Sequence, residues 1–136
     1  MRTWVLDTSV TVSGLISRKG PSAALVDAFF SDRLRLAFDD RIIQEYADVL
    51  ARPKFGIFPS ERHALLLKLH ASGLKIAPKK ILVDLPDEDD RPFIEVALGA
   101  PEPVVVTRNR KDFEPAEKLG LRIFVPEEAL VELRTD

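Results

Sequence analysis

The chain has 136 residues, of which 46% are hydrophobic, with a formal net charge of −2 and no cysteine. That length and composition fit one domain with a real core, and the lack of cysteine excludes disulfides, thiolate metal sites and cysteine nucleophiles. The nearly balanced charge carries no global signature of nucleic-acid binding, although a local basic patch suffices for it. In chain order, residues 3–7 form a short apolar run that ends at a polar turn, which predicts a buried strand. A short helix is expected over 9–17, stopped by Arg18-Lys19-Gly20-Pro21. Ser22 to Phe30 reads as a helix with Pro21 near its start and Leu25, Val26, Phe29 and Phe30 on one face. Leu34 to Phe38 reads as a second strand. Residues 40–51 carry the clearest amphipathic pattern, with Ile42, Ile43, Tyr46, Val49 and Leu50 on the helical period and Pro53 as the stop.

A further helix is expected over 60–72, with Leu65, Leu66 and Leu69 inward, Leu67 a further inward candidate, and Gly73 at its end. Residues 74–84 predict one or two extended pieces around Pro78. A helix over 91–99 follows an acidic run, and Pro103 to Thr107 makes a strongly apolar strand. A short helix at 114–119 ending at Gly120, a strand from Leu121 to Val125, and a helix from Pro126 through Leu133 complete the chain. Helices separating short apolar strands predict a three-layer α/β/α fold on a mainly parallel sheet. No repeat, low-complexity tract or linker divides the chain, so residues 1–136 are expected to form a single domain. No amino-terminal apolar stretch has the length of a signal peptide or a membrane span. A soluble cytoplasmic protein with no membrane partner is therefore expected.

The chemistry lies in acids placed where elements begin or end. Asp7 follows the first strand directly in Trp4-Val5-Leu6-Asp7-Thr8-Ser9. Its structural alternative is a turn or helix cap. Glu45 falls just outside the apolar stripe of its helix, and a plain surface glutamate is its alternative. Asp87, Glu88, Asp89 and Asp90 precede a helix, where acids also favour the macrodipole. Asp90 stands three and four residues before Phe93 and Ile94 and so shares their inward side, with Asp89 as the fallback. Asp112 follows the strand Val104-Val105-Val106 and is otherwise a cap of the next helix. Carboxylates at the carboxyl ends of parallel strands can meet in one crevice. They repel unless a hard cation lies between them, which points to Mg2+ or Mn2+ and phosphate chemistry.

Other motifs are weak or missing. His63 and His70 lie about 10 Å apart along one helix, too far to chelate one ion as an i, i+4 pair does. Trp4 reads as core. No Gly-x-x-x-x-Gly-Lys, Gly-x-Gly-x-x-Gly or Gly-x-Ser-x-Gly run occurs. A phosphoryl-transfer enzyme with Asp7 as nucleophile is the second enzyme reading. Phosphatases of that kind place another aspartate two positions later, where this chain has Ser9, and residues 1–6 lack the acids a receiver domain would need. A third reading is a non-catalytic module whose acids only cap helices.

Together these segments resemble the PIN-domain ribonucleases, in particular the VapC-like toxin components of toxin–antitoxin pairs. Val5-Leu6-Asp7-Thr8-Ser9 looks like the opening Leu-Asp-Thr-Asn, with Ser9 where asparagine is usual. Gly20-Pro21-Ser22 and Ile43-Gln44-Glu45-Tyr46-Ala47-Asp48-Val49-Leu50, followed by Arg52-Pro53-Lys54-Phe55, look like the second block. Asp87-Glu88-Asp89-Asp90-Arg91-Pro92-Phe93 looks like the third, and Val106-Thr107-Arg108-Asn109-Arg110-Lys111-Asp112-Phe113 like the fourth. The ordered set covers nearly the whole chain. It implies a divalent-metal ribonuclease whose metal-binding acids are Asp7, Glu45, Asp90 and Asp112. Thr107 and Asn109 would support them, and Thr8 or Ser9 would orient Asp7. Many relatives carry Gly-Asp where this chain has Arg108-Asn109. The fourth acid then falls on Asp112, with Asn109 able to offer a neutral oxygen. Arg108, Arg110 and Lys111 are candidate contacts to RNA phosphates, with a solvated loop as their alternative. The resemblance also implies a small antitoxin partner and a homodimer.

Overall fold

The computed structural model describes residues 1–135. Asp136, the last residue of the expected domain, lies outside the described residues. Five strands, β1 (Thr3–Leu6), β2 (Arg35–Phe38), β3 (Leu74–Lys75), β4 (Val104–Val106) and β5 (Arg122–Phe124), form one sheet in the order β3-β2-β1-β4-β5. Every pairing is parallel. Burial on both faces explains why the strands read as continuous apolar runs: Trp4, Val5, Leu6 and Val104 to Val106 are all fully buried.

The helices are α1 (Thr8–Ile16), α2 (Pro21–Phe30), α3 (Asp40–Leu50), α4 (Pro59–Ser72), α5 (Arg91–Gly99), α6 (Arg110–Phe113) and α7 (Pro126–Arg134). α2 packs on α1 and α7, whereas α5 lies against β1, β4 and β2 and touches α3. The result is a three-layer α/β/α fold on an all-parallel sheet, as expected. Gly14 permits the close α1–α2 approach, since a Cβ there would meet Val26 Cγ2 at 2.5 Å and the Ser22 carbonyl oxygen at 2.9 Å. Among the described residues, no helix is long and apolar enough to cross a membrane.

Three local expectations change. The segment 74–84 holds one short strand, the two-residue β3, at its start and not around Pro78, because the residues after it are tied to Phe38 and Glu95 by single backbone bonds and to the side chains of Glu95 and Arg91. The helix expected at 114–119 is a 3-10 helix (Glu114–Leu119) preceded by α6, which the Arg-Lys-Asp run concealed. Leu67 points outward at 69% exposure, while Leu65 and Leu69 are buried. On a helix, a position two residues from each of those lies off their face.

The topology sets the position of the site. From β1 the chain runs through α1 and α2 to β2 and β3, and later returns on the other side of β1 as β4 and β5. The connections leaving β1 and β4 therefore diverge, and a crevice opens at the carboxyl ends of these two strands.

Candidate active site

Asp7 is the residue immediately after β1, and its backbone N–H donates to the Val106 carbonyl at 2.9 Å, continuing the ladder with β4. Its side chain is nearly buried, at 6% exposure, and makes no cap bond to α1. Instead, Oδ2 accepts from Thr107 Oγ1 at 2.8 Å and from Ser9 Oγ at 2.9 Å. Ser9 Oγ also accepts from the Arg108 N–H at 3.3 Å, and Thr107 Oγ1 accepts from the Asn109 N–H at 3.0 Å. The loop after β4 is thus bonded to the loop after β1 through two hydroxyls. Burial raises the pKa of Asp7, the hydrogen bonds from Thr107 and Ser9 oppose that, and the charge of Asp112 adds to it.

Glu45 projects from the middle of α3 and is half-buried, so it is no plain surface glutamate. Thr8 Oγ1 donates to Glu45 Oε2. Burial raises its pKa, against the Thr8 bond, and the charges of Asp7, Asp89 and Asp87 raise it further. The next residue, Tyr46, is fully buried and donates its hydroxyl to the Leu6 carbonyl, which ties α3 to the end of β1. Burial and the neighbouring carboxylates hold the Tyr46 phenol protonated, well above its usual range.

The third block divides its labour. Asp87 caps a short 3-10 turn by accepting from the Asp89 N–H at 2.9 Å, and Glu88 pairs with Arg91 at 2.6 Å. Asp90 does neither. It opens α5 without a side-chain cap bond, and its pKa is pushed up to about 7 by partial burial and by the charges of Asp7, Asp87, Asp112 and Glu45. Asp89 is exposed and adds its charge near Glu45. Asp112 lies inside α6 rather than at its cap, where its charge acts on Asp7 and Asp90. Asn109 occupies the cap position of α6 with an exposed side chain and no cap bond.

The four acids named from the sequence thus come from four separate elements and act on one another electrostatically. None of them forms an ion pair among the described residues. Glu45, Asp48, Asp87, Asp89 and Asp90 line a cleft of about 670 Å3, together with Thr8, Ser9, Val12, Arg41, Gln44, Val49, Arg52 and Phe55. Asp7 and Asp112 are not in that lining and join the group through their charges. Hard oxygen donors of one charge sign fit a divalent cation such as Mg2+ or Mn2+. Among the described residues, however, no group of three or more His, Asp or Glu side chains is arranged to hold an ion. A cation would have to draw the carboxylates inward against their repulsion.

The candidate phosphate contacts differ. Arg108 and Lys111 are exposed and form no ion pair among the described residues. Arg110 is engaged within the chain: it pairs with Glu128 and donates to the Ile123 carbonyl at 3.1 Å. The histidines stay apart from the acids, and both are exposed, with His70 edge-on to Phe38.

Sequence reasoning missed the brace beside the acids. Glu95, buried in α5, accepts from Arg41 Nη1 at 2.8 Å and from the Ile81 N–H at 3.1 Å, while Arg41 Nε donates to Asp39 at 2.8 Å. This network joins the start of α3 to α5 and holds the loop between β3 and α5. A lone acid in the apolar run Pro92-Phe93-Ile94-Glu95-Val96-Ala97-Leu98 was the signal, because a buried charge needs a partner.

The molecule is thus an α/β protein with an all-parallel sheet and an acidic crevice beside the carboxyl ends of β1 and β4. The chain belongs to the PIN-domain family, which it matches over residues 3–111, well over half its length. PIN domains are in general nucleases, hydrolases of phosphodiester bonds, and typically bind divalent metals. Comparison with curated proteins and with solved structures gave no significant match.

Proposed function

We propose that this PIN domain is a divalent-metal-dependent endoribonuclease and the toxin of a toxin–antitoxin pair. The observation that carries the nuclease reading is the convergence of Asp7, Glu45, Asp90 and Asp112 from four elements with no cation of the described chain paired to any of them. Asp7, Glu45, Asp90 and Asp112 would hold Mg2+ or Mn2+, with Asn109 as an alternative neutral oxygen. A divalent ion there would lower the pKa of a bound water and stabilise negative charge on the phosphate oxygens.

The chain's own residues prepare the site. Thr107 and Ser9 fix the carboxylate of Asp7 through one oxygen. Thr8 does the same for Glu45. Such outer hydrogen bonds orient ligands and set their basicity. Arg108 and Lys111 would meet phosphates of the strand, and Arg110 would have to leave Glu128 to join them. A small antitoxin that blocks the acidic crevice, a homodimer and a cytoplasmic location belong to the same reading, and its support is the resemblance of the four sequence blocks.

The test is incubation of the chain with assorted RNAs, with and without manganese, alongside Asp7→Asn. Cleavage that needs the metal and is lost in the variant is the expected result. One observation favours a second reading. The acids are spaced too openly to hold an ion as they stand, which also suits a non-catalytic interaction module. Calorimetry with Mg2+ and Mn2+ separates the two, since a module of that kind takes up neither ion.

A further inference from the structure

The cleft that carries the acids changes character along its length. On α1, Thr8 is followed one turn later by Val12, and on α3, Glu45 is followed one turn later by Val49. One helical turn advances about 5.4 Å. Across that distance the lining passes from hydroxyl and carboxylate to two valines, with Asp48 beside Val49 bonded to Gln44, and Phe55 and Arg52 close the same end. Phe55 is held there by a rigid connection. Pro53 begins a 3-10 turn, the Phe55 N–H donates to the Arg52 carbonyl at 3.1 Å, and Gly56 ends the turn in the left-handed region at φ +61°.

Two features of this end are unusual for a plain surface. Phe55 is half-buried but also lines a smaller neighbouring cavity of about 200 Å3, so it forms the wall between two hollows and does not fill the core. One cation lies over one face of its ring, and a second lines the same cleft. Lys54 Nζ lies 5.1 Å from the centre of its ring, and Arg52 is exposed with no ion pair among the described residues. The other arginine of the cleft, Arg41, is committed to Asp39 and Glu95. Two valines and an aromatic wall with two cations beside them, in the same cleft as the acids, offer a stacking surface and a phosphate partner of the kind that single-stranded nucleic acid uses.

We propose that Val12, Val49 and Phe55 form a subsite for one unpaired nucleobase of an RNA strand. In it the base stacks on the face of Phe55 opposite Lys54, and Arg52 pairs with a flanking phosphate. The proposal rests on the nuclease reading and adds which residues of this chain would hold a base beside the acids. In a duplex both faces of a base are stacked on its neighbours, so a paired base cannot enter the subsite.

The test uses the full chain carrying Asp7→Asn, so that binding is read without cleavage. Its affinities are measured for a single-stranded RNA, with 2-aminopurine at one position, and for the same sequence as a duplex. The single strand should bind more tightly and its 2-aminopurine fluorescence should fall. Adding Phe55→Leu should weaken the single strand about five- to a hundred-fold and abolish the fluorescence change, and Phe55→Trp should preserve both. Arg52→Ala should lower the slope of log affinity against log salt by about 0.7, one phosphate of a single strand. Equal binding of strand and duplex, an unchanged affinity in Phe55→Leu, or a loss that Phe55→Trp shares would each overturn the subsite. Cleavage by the parent chain in manganese is scored separately. If it persists in Phe55→Leu at an unchanged KM, the subsite is overturned and the nuclease reading stands. If the parent does not cleave, or Asp7→Asn cleaves as well as the parent, the nuclease reading falls and the subsite with it.

Discussion

Thr107 Oγ1 donates to Asp7 Oδ2 at 2.8 Å, joining the ends of β4 and β1 across 100 positions of sequence. Both groups are buried, so the hydroxyl is the polar partner that allows a carboxylate to sit at the floor of the crevice. Thr107→Val keeps the shape and removes that donor. It should cost about 1–2 kcal/mol of stability by weakening the pairing of a buried acceptor, and divalent-ion affinity should fall about tenfold. Thermal melting and a manganese titration of the variant check both effects.

Asp7→Asn should abolish metal-dependent RNA cleavage and leave the fold intact. It removes a desolvated charge that Asp112 repels. The metal-free variant should therefore melt a few degrees higher than the parent, in line with about 1 kcal/mol of relieved repulsion. Undiminished cleavage by the folded variant would remove Asp7 from the site.

Asp90 sets a pH dependence whose sign follows from the direction of its shift. Its folded pKa is raised from 3.8 to about 7. Between those values the folded state binds more protons than the unfolded one, so stability contributed by this group falls as pH rises from about 4 to about 7. Asp90→Asn cannot lose a proton. The variant should match the metal-free parent near pH 4 and exceed it above pH 7. Because Asp90 is only half-buried, the gain should be about 1–2 kcal/mol after solvent screening. Melting curves of both proteins across that range decide it, and parallel curves would rule the group out.

Metal binding should release protons, since carboxylates with raised pKa values must ionise to ligate. Calorimetry in buffers of different ionisation enthalpy should give different apparent heats near neutral pH. Saturation at a hundred times Kd should stabilise the fold by about 2.7 kcal/mol. A heat independent of buffer, with no melting shift, would count against a converged site.

The basic residues of the fourth block should fail in different ways. Arg110→Ala breaks an exposed pair with Glu128 and a bond to the Ile123 carbonyl, so it should lower stability by about 1 kcal/mol and leave the salt dependence of RNA binding unchanged. Arg108→Ala should leave stability unchanged and reduce the salt slope by about 0.7. A salt series on both variants distinguishes a structural arginine from a phosphate contact.

The sequence by itself determined the elements and the order of the acids. Period and punctuation are local, so β1 with Asp7 at its end, the stripe of α3 with Glu45 beside it, and Asp90 ahead of Phe93 could all be read from neighbouring residues. Local pattern also had limits: α6 escaped notice because four polar-rich residues carry no period, and Leu67 was drawn inward by its leucine neighbours. Only the tertiary structure decided which strands adjoin, because parallel pairing joins segments whose sequence separation leaves no local trace. That choice placed β4 beside β1 and so brought Thr107 to Asp7. It also gave Asp87 a cap to make and Glu88 an arginine to pair with, roles that the inward spacing of Asp90 did not reveal. The apolar end of the cleft, where Val12, Val49 and Phe55 meet from three segments, exists only once α1 and α3 are packed side by side.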